Sequence, residues 1–175
     1  MLAGGRNSHT RNHARRTLCD ALLELTLFAE DHGVNLAIEP FHRGCGDEWS
    51  FINDLKSTVE IIELIGCPTL GMVLDTYHLG FDRNVQQWLP DIIPHLHLVQ
   101  LGDARYTPMG EMNRCLLGKG VVPIQQILRQ LMEYNYEGPL EVELIGEDVE
   151  HIPYEKLLEH THCYLEQSVG SVGSR

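Results

Sequence analysis

Four short apolar runs, at residues 34–39, 71–75, 95–101 and 139–144, each follow a stretch of helical periodicity, and this alternation constrains the chain more than any other feature. In the first unit Leu18, Leu22, Leu25 and Phe28 recur at helical spacing across residues 14–32, and Gly33 follows as a stop. The run after it is closed by Pro40 and reads as a buried strand. The same reading predicts helices over 54–65 (capped by Asp54), 85–93, 121–134 and 154–167, with the remaining three apolar runs as strands. Helices alternating with buried strands imply parallel pairing through right-handed crossovers, hence an α/β architecture.

Each expected strand ends in a residue able to bind a metal or move a proton: Glu39, Asp75, Gln100 (followed by Asp103) and Glu143. In a barrel the C-terminal ends of parallel strands converge on one face, so these four would meet around one point. Strand parity agrees, since Glu39 and Asp75 would project inward while Ile38 and Leu74 face the helices. His97, of opposite parity to Gln100, is expected to face the helices. Glu141 shares the parity of Glu143 and needs a partner or water. A single acid at a strand end commonly caps the next helix. Four in succession point to a shared site.

The runs Leu36-Ala37-Ile38-Glu39-Pro40, Met72-Val73-Leu74-Asp75-Thr76-Tyr77-His78, Leu98-Val99-Gln100-Leu101-Gly102-Asp103 and Gly138-Pro139-Leu140-Glu141-Val142-Glu143 resemble the xylose-isomerase-like barrel superfamily of sugar isomerases and epimerases. The resemblance implies a partial (β/α)₈ TIM barrel comprising about the last four to five βα units, with the N-terminal units missing and an open edge at the Glu39 strand. It implies one divalent cation held by Glu39, Asp75, Gln100 and Glu143, with Glu39 and Glu143 also serving as catalytic acid and base in an enediolate mechanism on a ketose or related polyol. His78, three residues after Asp75, would contact substrate; Arg105, His42 and Trp49 are weaker substrate-binding expectations. Gln100 supplies an oxygen where many members of the superfamily have His, so Mn²⁺ or Mg²⁺ is expected over Zn²⁺.

A complete barrel needs about 250 residues, and this chain has 175. One domain over residues 1–167 and a flexible Gly/Ser-rich tail over 168–175 are expected. A net charge of −12 makes nucleic acid an unfavourable partner and weighs against the superfamily's abasic-site endonucleases. A dehydratase of the same superfamily, or a non-catalytic truncated half-barrel, would also be compatible with these motifs. No apolar run approaches the roughly 20 residues of a membrane span, and the start lacks a signal peptide's apolar core. Arg6, Arg11, Arg15 and Arg16 read as the approach to a helix rather than a transit peptide. Five scattered cysteines fit reduced thiols in the cytoplasm. The expected partner is a small-molecule sugar, with a homo-oligomer or a second chain completing the barrel.

Overall fold

All four apolar runs form strands, and all pair in parallel. The computed structural model describes residues 1–82, 84–110 and 112–170. Helix α1 (Arg11–Asp31) starts at Thr10, whose hydroxyl accepts the His13 N–H at 3.3 Å. It leads into β1 (Leu36–Ile38). Helix α2 (Leu55–Ile65) begins as expected at Asp54, whose carboxylate accepts the Ser57 N–H at 2.8 Å. Strand β2 (Leu70–Asp75) runs into the short α3 (Thr76–Leu79), then α4 (Val85–Ile92) and β3 (Leu96–Leu101). A long loop precedes α5 (Ile124–Glu133), after which come β4 (Leu140–Val142), α6 (Glu147–Glu150) and α7 (Tyr154–Gly170). Removing the α2 cap by Asp54→Ala is expected to cost about 1 kcal/mol, read as a lower urea midpoint.

The sheet order is β1-β2-β3-β4, so sequential strands are spatial neighbours, as in successive βα units of a barrel. Alternation then sorts the side chains. Ile38, Met72, Leu74, Val99 and Leu101 face the helices and are packed with Leu22, Ile61, Leu89 and Ile127 in one buried cluster. The opposite face carries Glu39, Asp75, Gln100 and Glu141 at the C-terminal ends of the strands. Asp75 pairs in register with Gln100, and Gln100 with Glu141.

Four expectations change. Leu25 and Phe28 do not enter the core: α1 buries Cys19, Leu22, Thr26 and Ala29, a stripe from whose centre Phe28 is rotated by about a third of a turn. Phe28 is 61% exposed and stacks on His32 at 4.1 Å. His97 is not helix-facing. The register slips by one residue between Met72 and Val73, and the resulting bulge lays its ring over Gly71, with Nδ1 3.0 Å from the Leu36 carbonyl. That position is at the strands' N-terminal end, away from Asp75. The Glu39 strand is not wholly open, because the Met1 amine donates to the Ala37 carbonyl at 2.7 Å and the Glu39 N–H donates to the Met1 carbonyl at 3.0 Å. Finally, α7 continues through Gly170, so the start of the expected tail is helical, while residues 171–175 lie outside the described residues. No helix among the described residues is long and apolar enough to cross a membrane.

Candidate metal centre

Strand β2 ends at the most deeply buried acid among the described residues. Asp75 is 0% exposed. Its Oδ1 accepts the Tyr77 N–H at 2.8 Å, which turns the chain into α3, and its Oδ2 accepts from Arg114 Nη2 at 2.7 Å. The same Nη2 donates to Glu143 Oε2 at 3.2 Å, so one guanidinium nitrogen ties the ends of β2 and β4 together. Glu39, just past β1, offers a carboxylate oxygen within 4.8 Å of ligand atoms from both Asp75 and His78.

Burial, the charge of Asp75 and that of Glu143 push the Glu39 carboxyl up to about 7. Burial likewise raises Asp75 to about 6, against the opposing pull of Arg114. Carboxyls held away from water and against one another favour a proton, or equally a bound cation, over a bare negative charge.

His78 is the third member of that cluster, and its hydrogen bonds decide what it can do there. Its Nδ1 accepts the His42 backbone N–H at 3.4 Å and lies 3.8 Å from Cys45 Sγ. Burial and the neighbouring Arg114 hold its pKa down at about 3. A neutral imidazole with Nδ1 as acceptor carries its proton on Nε2. That Nε2 faces Asp75 Oδ2 at 3.6 Å and Glu39 Oε1 at 3.9 Å and has no hydrogen-bond partner among the described residues. In this tautomer it offers a donor, not the lone pair a metal requires. Phe41 lies against the ring at 3.8 Å and Tyr77 meets it edge-on at 5.1 Å, so its orientation is fixed.

Gln100 also has a resolved polarity. Its Nε2 donates to Glu141 Oε2 at 3.1 Å, and an ionised carboxylate only accepts, so the amide oxygen points the other way. That Oε1 is buried without a donor among the described residues. Glu141 thus finds the partner its parity demanded, while itself remaining exposed.

Sequence reasoning missed Arg114. It is 1% exposed, its guanidinium lies 4.3 Å over the Tyr77 ring, and both Nε and Nη1 lack hydrogen-bond partners among the described residues. The space for it comes from Gly102, where a Cβ would stand 2.8 Å from Arg114 Nε and 2.9 Å from Tyr77 Cβ. Gly102→Ala is expected to displace the guanidinium and lower stability by about 1–3 kcal/mol, measurable by urea unfolding. An arginine in a loop gives little sequence signal. Its only marker was a Gly directly after β3, which permits close approach of another side chain.

The weaker expectations fall around this centre. His42 accepts the Gly44 N–H through Nδ1 and lines, with His78, Asn53 and Thr107, a cleft of about 300 Å³. Arg105 is engaged by Asp148 at 2.7 Å, in the wall of a second cleft of about 380 Å³ that also includes Tyr77 and Asn113. Trp49 is 48% exposed, its ring 6.4 Å from that of Phe41.

The donor set is chemically suited to a hard divalent cation: the buried carboxyl of Asp75, the half-buried and equally proton-hungry carboxyl of Glu39, a third carboxylate beside them and an amide oxygen without a donor among the described residues. Comparison with known proteins agrees with the architecture. The profile of a family described as xylose isomerase-like TIM barrel matches residues 1–167. An inosose isomerase from Halalkalibacterium halodurans is 27% identical over 138 residues, covering 77% of this chain and 48% of that protein. A ketose 3-epimerase from Arthrobacter globiformis is 28% identical over 122 residues, covering 69% and 38%. The chain therefore spans about half the length, or less, of these curated relatives. Among solved structures, a Sinorhizobium meliloti protein superposes with a TM-score of 0.81 at 24% identity, over 94% of this chain and 62% of the other. The IOLI protein, solved with a bound zinc atom, gives 0.81 at 20% identity over 98% and 62%.

Proposed function

The chain belongs to the xylose isomerase-like TIM barrel family, and from that premise we propose that it serves a divalent-metal-dependent sugar isomerase or epimerase acting on a ketose or related polyol. The observation that carries this reading is the gathering of Glu39, Asp75 and His78 within 4.8 Å at the strand ends, with Glu143 joined to Asp75 through Arg114.

Glu39, Asp75, Gln100 and Glu143 are the residues that would hold the cation. Their all-oxygen donor set favours Mn²⁺ or Mg²⁺ over Zn²⁺. A cation held there would supply Lewis acidity, lowering the cost of removing a proton from the carbon next to a ketose carbonyl. Glu39 and Glu143, from the two outer strands, flank the substrate; one takes the carbon-bound proton and the other returns a proton elsewhere. His78 directs its Nε2–H at a substrate oxygen. Arg114 adds the N–H donors of Nε and Nη1, which a developing oxyanion would satisfy. His42 and Trp49 form part of the pocket wall, and Arg105, released from Asp148, can reach a substrate hydroxyl. Five free thiols fit a reducing compartment, which supports the cytoplasm as location.

The test is proton exchange. Incubated with Mn²⁺ and a panel of ketohexoses and inososes in D₂O, the chain is expected to wash deuterium into the α-position of at least one substrate, to lose that activity on chelation and to regain it on adding Mn²⁺. A chain that binds Mn²⁺ yet exchanges no α-proton in any of them contradicts the reading.

A further inference from the structure

We propose that Asp103 is the positioning residue that holds Arg114 in the site, an inference that rests on the reading of Arg114 as a substrate donor. Asp103 lies two residues beyond β3 and is 1% exposed. Its carboxylate is directed at main-chain donors. Oδ1 accepts the N–H groups of Ala104 at 2.8 Å and Val122 at 3.2 Å; Oδ2 accepts those of Gly118 at 2.8 Å and Gly120 at 3.0 Å. Four amides from the two ends of the loop at 104–122 thus converge on one side chain.

Arg114 sits within that loop. The Asp103 carbonyl accepts the Cys115 N–H at 2.9 Å, and the Arg114 N–H donates to the Ile145 carbonyl at 2.8 Å. The backbone on both sides of the Arg114 side chain is therefore pinned, once to the end of β3 and once to the segment after β4. The Asp103 carboxylate is spent on these amides rather than on Asp75 or Glu143. It acts by closing the loop that delivers the guanidinium to them.

The chemistry requires a carboxylate. Two oxygens with about four lone-pair sites can serve four donors, whereas an amide turns a donor of its own toward N–H groups that need an acceptor. Asp103→Asn keeps the size of the side chain and removes this match. Because misplacing a reacting group by about 1 Å can cost up to about 100-fold, D103N is expected to lower kcat by about 10- to 100-fold. Mn²⁺ affinity should not fall, since the four proposed ligands lie on the strand ends rather than on this loop and a displaced guanidinium competes less for Asp75 and Glu143. In an Arg114→Ala background, D103N should add less than about twofold, because the residue through which it acts is gone.

A D103N variant with wild-type kcat overturns the proposal, as does a double variant in which the two losses multiply. If D103N does not fold, Gly120→Ala disturbs the same clasp, since a Cβ there would run into Asp103 Oδ1 and the Ala104 carbonyl. It should show the same kcat loss, absent in the Arg114→Ala background; a folded G120A with full kcat also overturns the proposal. Hydrogen exchange gives a reading free of substrate. The amides of Gly118 and Gly120 should be protected in the native chain despite their loop position, and rapid exchange there removes the clasp. If no ketose is turned over but these amides are protected, the proposed function fails while the clasp stands.

Discussion

Asp75→Ala is expected to abolish Mn²⁺ binding and to lower stability by about 3 kcal/mol. Both effects come from one position. The carboxylate lies between Arg114, at 2.7 Å, and the cluster with Glu39 and His78, so its removal deletes a ligand and leaves a guanidinium that is 1% exposed with Glu143 as its remaining anionic partner. Breaking a buried pair by removing one partner typically costs about 3–5 kcal/mol. The lower end applies because burial already disfavours the Asp75 charge, as its pKa of about 6 reflects. Asp75→Asn separates the two losses. The amide can still accept the Tyr77 N–H and fill the space, so stability should fall less, but Mn²⁺ binding should be lost as fully. Urea unfolding and calorimetric Mn²⁺ titration of both variants check this; an Asp75→Asn chain that binds Mn²⁺ like the wild type contradicts it.

Arg114→Met should lower kcat by about 10²- to 10³-fold, the usual loss when a preorganised donor to a developing oxyanion is removed. Methionine retains an apolar stem against Tyr77 and the space beside Gly102, so the fold should persist. The metal should respond in the opposite direction. With the guanidinium gone from between Asp75 and Glu143, two carboxylates lose a competing positive charge and Mn²⁺ should bind more tightly. Weaker turnover with tighter metal binding separates a substrate-directed arginine from one that merely holds the carboxylates together, for which turnover at saturating Mn²⁺ would be preserved. Steady-state kinetics beside a Mn²⁺ titration reads both.

The parts of this arrangement that were legible in the sequence are those set by local periodicity. The run 71–75 ends at Asp75 in sequence and in space, and the Asp54 cap is a three-residue pattern that forms as read. Even the awkward parity of Glu141 pointed to a real contact, with Gln100. What escaped is set by non-local pairing. The bulge that turns His97 inward follows from the register of β2 against β3, which no single run encodes. Leu25 and Phe28 satisfy helical spacing as well as the true core stripe does, and only the partner surface on α2 and the sheet chooses between them. Arg105 was the expected loop arginine because it stands close to Asp103 in sequence; the loop folds back so that Arg114, nine residues later, enters the site and Arg105 turns to Asp148. The fold class rests on repeating local signals, whereas the site's cationic partner depends on how one loop closes.

The most direct measurement of the proposed centre is the anomalous-scattering map of a crystal grown or soaked with Mn²⁺. One strong peak is predicted at the C-terminal end of the strands, within about 2.0–2.6 Å of oxygen atoms from Glu39, Asp75, Gln100 and Glu143, with His78 Nε2 outside bonding distance. A peak bonded to His78 Nε2 without Gln100 and Glu143, or the absence of any peak at these strand ends, would contradict the account.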